Sequence, residues 1–138
     1  MVKKVDHIAI AVKDIEQATT FYKQLGLDVS AVEEVPDQKV RVAFIPIGET
    51  HIELVEPMSK DSPISAFLEK RGEGLHHICL ETDQIDHTVE HLQEQGVRMI
   101  DKSPRTGSRQ TRIAFVHPKA NAGVLTELVE HPDDKQSH

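Results

Sequence analysis

"VDHIAIAVKDIEQATTFYKQLGLDV" (residues 5–29) and "LHHICLETDQIDHTVEHLQEQGVRM" (residues 75–99) carry one pattern twice. Sliding the first by seventy positions lays His7 on His77, Ile8 on Ile78, Ile15 on Ile85 and Gly26 on Gly96. The correspondence continues downstream: "VAFI" (42–45) falls on "IAFV" (113–116) at offset 71, and "ELVE" (53–56) falls on "ELVE" (127–130) at offset 74. Order is preserved and the drift amounts to a three-residue lengthening of one loop, the signature of two copies of one supersecondary unit.

Within each copy the apolar period changes along the chain. Ile8, Ile10 and Val12 alternate with His7, Ala9 and Ala11, which predicts a strand with two unlike faces. Asp14 then offers an N-cap with Gln17 three residues on, and Ile15, Ala18, Tyr22 and Leu25 recur at helical spacing until Gly26. Strand-like runs follow near 27–34, 40–47 and 50–56. The second copy predicts a strand over 76–82, a helix over 84–95 ended by Gly96, and strands near 97–101, 111–117 and 124–130. Between the copies, Ser62-Pro63 starts and Gly72 stops a short helix. The expectation is an α+β fold in which two tandem βαβββ modules, about 5–58 and 75–131, are joined by a helical linker over 59–74. At 138 residues this makes one domain.

Parity locates the chemistry. If Ile8, Ile10 and Val12 pack on the helix, then His7, Ala9 and Ala11 face the other side, where two alanines leave room for a cavity. By the same rule His77, Cys79 and Glu81 turn inward, and Leu54 and Leu128 send Glu53 and Glu127 to that side. Two histidines and two glutamates thus occupy equivalent positions. Imidazole with carboxylate suits a divalent ion such as Zn, Co, Ni or Mn, and four protein ligands leave a six-coordinate ion open to substrate. His76 alternates with Ile78 and Leu80 and is left outside this set. His87 and His91 read as a solvated helix face, and His51, His117, His131 and His138 show no constellation.

Composition narrows the classes of function. With 16 Lys and Arg against 23 Asp and Glu, the net charge of −7 excludes a basic nucleic-acid surface. No apolar run reaches membrane-span length, and "MVKKVDHIA" lacks a signal-peptide core, so a cytoplasmic protein without nucleic-acid or membrane partners is expected. The one cysteine, Cys79, sits in an apolar strand and reads as a buried structural thiol.

These residues resemble the vicinal-oxygen-chelate (glyoxalase-like) superfamily, whose paired βαβββ modules form a curved, partly closed sheet around a metal. "GEGLHHICLETDQI", "IELVEP" and "RIAFVHPKANAGVLTELVE" closely resemble the methylmalonyl-CoA epimerase family, over Val5 to Glu130. The resemblance implies an isomerase that interconverts the (2R) and (2S) epimers of methylmalonyl-CoA through a metal-stabilised enolate, in propionate metabolism. It implies His7, Glu53, His77 and Glu127 as ligands of a divalent ion (Co, Mn, Zn or Ni). Some members carry an acid/base glutamate where this chain has Val42, so Glu53 and Glu127 are expected to move the protons. For the coenzyme A tail, the basic loop "KSPRTGSRQTR" (102–112) with Arg105 and Gly107, and Lys119 beyond it, supply the candidate contacts. Family habit implies a homodimer. A glyoxalase I-like lactoylthiol lyase and a non-catalytic metal- or ligand-binding protein are the alternatives within the superfamily.

Overall fold

The computed structural model describes residues 1–132, so His138 lies outside the described residues. Its strands and helices are β1 (Val2–Ala11), α1 (Ile15–Gln24), β2 (Glu33–Val35), β3 (Val40–Ile47), β4 (Thr50–Pro57), α2 (Pro63–Arg71), β5 (Gly74–Thr82), α3 (Ile85–Glu94), β6 (Arg105–Thr106), β7 (Arg112–Val116) and β8 (Leu125–Glu130). Two compact units result: an N-terminal unit, His7–His76, and a C-terminal unit made of Met1–Asp6 with the described residues from His77 onward.

The N-terminal unit orders its strands β2-β3-β4-β1, with β4 parallel to β1 and antiparallel to β3. The C-terminal unit repeats that plan as β6-β7-β8-β5, with β8 parallel to β5 and antiparallel to β7. One face of each set is covered by its helix. Ile15 of α1 packs with Val12, Ala43, Ile45 and Leu54, and Ile85 and Val89 of α3 pack with Ala114, Val116 and Leu128. The alternation read from the sequence therefore assigns the faces as observed.

The helix ends follow their local chemistry. Asp14 accepts from the Gln17 N–H at 3.2 Å, and Ser62 caps α2 by accepting from the Ile64 N–H. Gly26 (φ +84°) and Gly96 (φ +82°) take the left-handed geometry that ends α1 and α3. A further tie repeats in both units. Glu56 at the end of β4 accepts the Ile15 N–H at 2.8 Å, and Glu130 at the end of β8 accepts the Ile85 N–H at 2.9 Å. Each binds the start of its unit's helix to the strand bearing the inward glutamate.

Three sequence expectations need correction. The segments 27–34 and 97–101 are not full strands: only Glu33–Val35 pairs in the first, and a lone bridge, Met99 with Val116, marks the second. The reason is local. Ser30 Oγ accepts the Phe44 N–H at 2.8 Å and Asp101 Oδ2 accepts the Phe115 N–H at 2.8 Å, so a side chain takes the bond a ladder partner would take. Nor is the alanine end of β1 open space. Ala9 and Ala11 are fully buried in a cluster with Val40, Val42, Val55 and Ile64, because α2 lays Ile64, Phe67 and Leu68 against them.

Candidate active site

The inward face of the N-terminal unit places three polar side chains together. Register sets Glu53 between Ala9 of β1 and Phe44 of β3, and sets His51 opposite His7. Glu53 Oε2 lies 3.2 Å from His7 Nδ1 and 2.9 Å from His51 Nε2. The two rings stack with centroids 5.0 Å apart, and Phe44 stands 5.6 Å from His51.

The C-terminal unit builds the equivalent arrangement from different residues. Glu127 lies between Cys79 of β5 and Phe115 of β7, and its Oε1 is 3.2 Å from His77 Nε2. Phe115 meets His77 edge-on at 5.9 Å, and the Arg105 guanidinium covers Phe115 at 5.6 Å. Cys79 is fully buried. The structure thus gives two His–Glu couples, one per unit, at repeat-equivalent positions.

Each couple has the donor chemistry of a divalent-metal site. Two ligands bound to one ion at ~2.1 Å and at right angles stand about 3.0 Å apart. Both couples hold imidazole nitrogen and carboxylate oxygen at 3.2 Å. The four side chains are 10–17% exposed, sheltered without being sealed. Neutral nitrogen and anionic oxygen in each couple suit Mn, Co, Ni or Zn better than an oxygen-only calcium cage. The residues present fit such an ion.

Two other acidic clusters already carry protein cations or donors. Glu81 lies 3.3 Å from Lys3 and 3.8 Å from Lys4, and Asp6 pairs with His131 at 2.7 Å. Glu56 binds Arg41 at 2.7 Å, and Arg41 also reaches Glu16 at 3.1 Å. A cleft of about 550 Å³ beside α1, lined by Ile10, Val12, Asp14, Phe21 and Tyr22, lies on the helix-covered face, away from His7 and Glu53.

Sequence reasoning missed several partners. His51 has a constellation after all, and its signal was available: it shares the parity of Glu53 two residues on, and residues i and i+2 of a strand share a face. His131 pairs with Asp6, and His117 Nδ1 accepts the Lys119 N–H at 3.0 Å. Burial, then Arg98 and Lys119, push the His117 imidazole below its ordinary value. His76 stands edge-on to Phe67 of α2 at 4.9 Å. In the 102–112 loop, the Gly107 N–H is donated to the Thr111 carbonyl at 2.8 Å, so that amide is not free for an anion. A Cβ at Gly107 would stand 2.7 Å from Thr111 Oγ1 and 2.8 Å from Ile113 Cγ2. This close approach is why glycine occupies the position.

Comparison with known proteins decides the family. A family model described as Glyoxalase/Bleomycin resistance protein/Dioxygenase superfamily matches residues 6–115. The chain belongs to this superfamily. Among its members, the mitochondrial methylmalonyl-CoA epimerase of Homo sapiens is 41% identical over 91% of this chain and 72% of its own length. The ethylmalonyl-CoA/methylmalonyl-CoA epimerase of Cereibacter sphaeroides is 40% identical, covering 93% of this chain and 98% of its own. A solved methylmalonyl-CoA epimerase in complex with methylmalonyl-CoA and ammonium superposes with a TM-score of 0.87 at 37% identity, over 96% of each chain. Within the superfamily, this chain falls in the methylmalonyl-CoA epimerase family, and its two βαβββ modules are the glyoxalase fold. Among the described residues no helix is long and apolar enough to cross a membrane.

Proposed function

We propose that this protein is a metal-dependent methylmalonyl-CoA epimerase in which His7, Glu53, His77 and Glu127 serve one divalent ion, with Co, Mn, Zn or Ni as its metal. The observation that carries the reading is the duplicated couple: a 3.2 Å imidazole–carboxylate pair recurs at the repeat-equivalent place in each unit. The activities of these relatives supply the substrate class, an acyl-CoA small molecule.

The chemistry asks for a group on each side of one carbon. C2 of methylmalonyl-CoA stands between a thioester and a carboxylate, and its proton is weakly acidic. When bound, the ion supplies Lewis-acid charge where negative charge grows as that proton leaves. Each glutamate loosens from the ion as it acts: ionised Glu53 takes the proton from one epimer while Glu127, carrying a proton drawn from solvent, gives it to the opposite face, and from the other epimer the roles and protonation states reverse. A carboxylate acting as general acid or base accounts for about 10²–10⁴-fold of rate. Phe44 and Phe115 are the register partners of the two glutamates, one aromatic residue beside each. Val42 is buried among apolar side chains, so it leaves proton transfer to these two carboxylates.

Arg105 and Lys119 meet the phosphates of coenzyme A in this reading. Phe115 and Asp101, the latter at 3.3 Å, brace the Arg105 guanidinium, while Gly107 shapes the loop between them. The two modules act as one domain, as a homodimer in the cytoplasm.

The test is a purified protein reconstituted with Co(II) or Mn(II) in deuterated buffer. Epimerisation with deuterium wash-in at C2, abolished by a chelator, is the expected result. Turnover of a methylglyoxal–thiol hemithioacetal without C2 exchange would support the glyoxalase reading instead. Metal binding with neither activity would leave a sequestering protein.

A further inference from the structure

The two units match at His7 and His77, Glu53 and Glu127, Phe44 and Phe115, but they differ at the strand position two residues before the inward glutamate. Register sets His51 opposite His7, whereas it sets Leu125 opposite His77. His51 is therefore the departure from the repeat that adds a hydrogen-bonding side chain beside an inward glutamate, and its place on β4 shows what it does. An ionised carboxylate only accepts, so at 2.9 Å the His51 Nε2–H donates to Glu53 Oε2. Stacking on His7 at 5.0 Å and the Phe44 ring at 5.6 Å hold the plane of the imidazole, and with it the direction of that bond.

The bonded oxygen is also the one that lies 3.2 Å from His7 Nδ1. One lone pair of Oε2 is committed to His51, and that bond restrains rotation of the carboxylate about its last bond. We propose that His51 is a positioning residue for Glu53: it selects Oε2 as the oxygen presented beside His7 before any ion arrives, and so preorganises the N-terminal couple. The residue at the equivalent place in the C-terminal unit is Leu125, whose side chain carries no donor. The inference rests on the reading of His7 and Glu53 as ion ligands. Partners that orient a metal ligand in this way are typically worth about 10–100-fold in metal affinity.

The experiment is a Co(II) titration of the full chain, followed by the visible absorption of the bound ion. His51→Phe keeps a ring against His7 and removes the donor, and His51→Leu copies the residue at the equivalent place. His51→Gln restores an N–H without the ring. Glu53→Gln and His7→Ala report whether the couple binds the ion at all. The expected result is Co(II) affinity reduced about tenfold or more in whichever donor-less variant keeps the wild-type circular dichroism, with an altered absorption spectrum, and recovery of most of the affinity in His51→Gln. Wild-type affinity and spectrum in a folded donor-less variant, alongside weak binding by Glu53→Gln and His7→Ala, would overturn the role of His51 alone. Wild-type affinity in Glu53→Gln and His7→Ala as well would overturn the ligand reading itself, and this inference with it.

Discussion

Glu53 and Glu127 are the residues on which the chemistry turns, and they are separable by experiment. In the proposed mechanism each serves one face of C2, so with Co(II) raised to saturation Glu53→Gln is expected to lower solvent exchange from one epimer by about 10²-fold or more while retaining exchange from the other. The check is a single-epimer wash-in followed by mass spectrometry, and equal retention from both epimers would reassign the first base. A second residue-scale prediction concerns protonation. Hydrogen bonds from Lys39 and then Ser59 pull the Asp61 carboxyl down to about 2. A depressed carboxyl contributes stability above its unfolded value of about 3.9 and loses it as pH falls through the folded value. An NMR titration is therefore expected to place the Asp61 midpoint near 2, and Lys39→Met to raise it toward the ordinary carboxylate range. The four ion-ligand candidates were legible because the repeat named them twice. His51 was not, because the repeat does not duplicate it: parity alone marks it, and parity also marks every second residue of β4.

At the scale of elements, the glutamate that closes each "ELVE" run joins a strand to a helix start. Glu130 is 4% exposed and accepts the Ile85 N–H at 2.9 Å. Glu130→Ala strands that amide and is expected to cost about 1–2 kcal/mol, the range for losing a cap, read as a lower urea midpoint with unchanged slope. Arg112, paired with Asp86 at the same end of α3, is expected to keep that helix in place, so the loss remains local. Gly107→Ala puts a methyl group within 2.8 Å of Thr111 and Ile113 side chains and is expected to destabilise the loop ahead of β7. Periodicity, caps and glycine stops made the helices legible. The failure of 27–34 and 97–101 to form strands was not legible, because Ser30 and Asp101 substitute side-chain oxygens for ladder partners. A β-like composition does not reveal which acceptor an amide will choose.

For the whole molecule, the repeat carries both fold and function. Duplication gives each unit the same strand order, the same helix tie and the same His–Glu couple. The sequence also exposed the family, through "GLHHI" and the closing "HPKANAGVLTEL" (117–128), and the relatives bear that out. What it could not show is how far each couple is preorganised, since that depends on ring stacking and register rather than on residue type. The central claim is that the two couples serve one ion and that this ion supports proton exchange at C2. The most direct measurement is the initial rate of deuterium incorporation at C2 of methylmalonyl-CoA as Co(II) is added to metal-free protein. The account predicts a rate that rises linearly to one equivalent per chain and then stays level, with His7→Ala and His77→Ala each losing nearly all of it. Full exchange in the presence of a strong chelator, or saturation at two equivalents with each histidine variant keeping about half the rate, would contradict it.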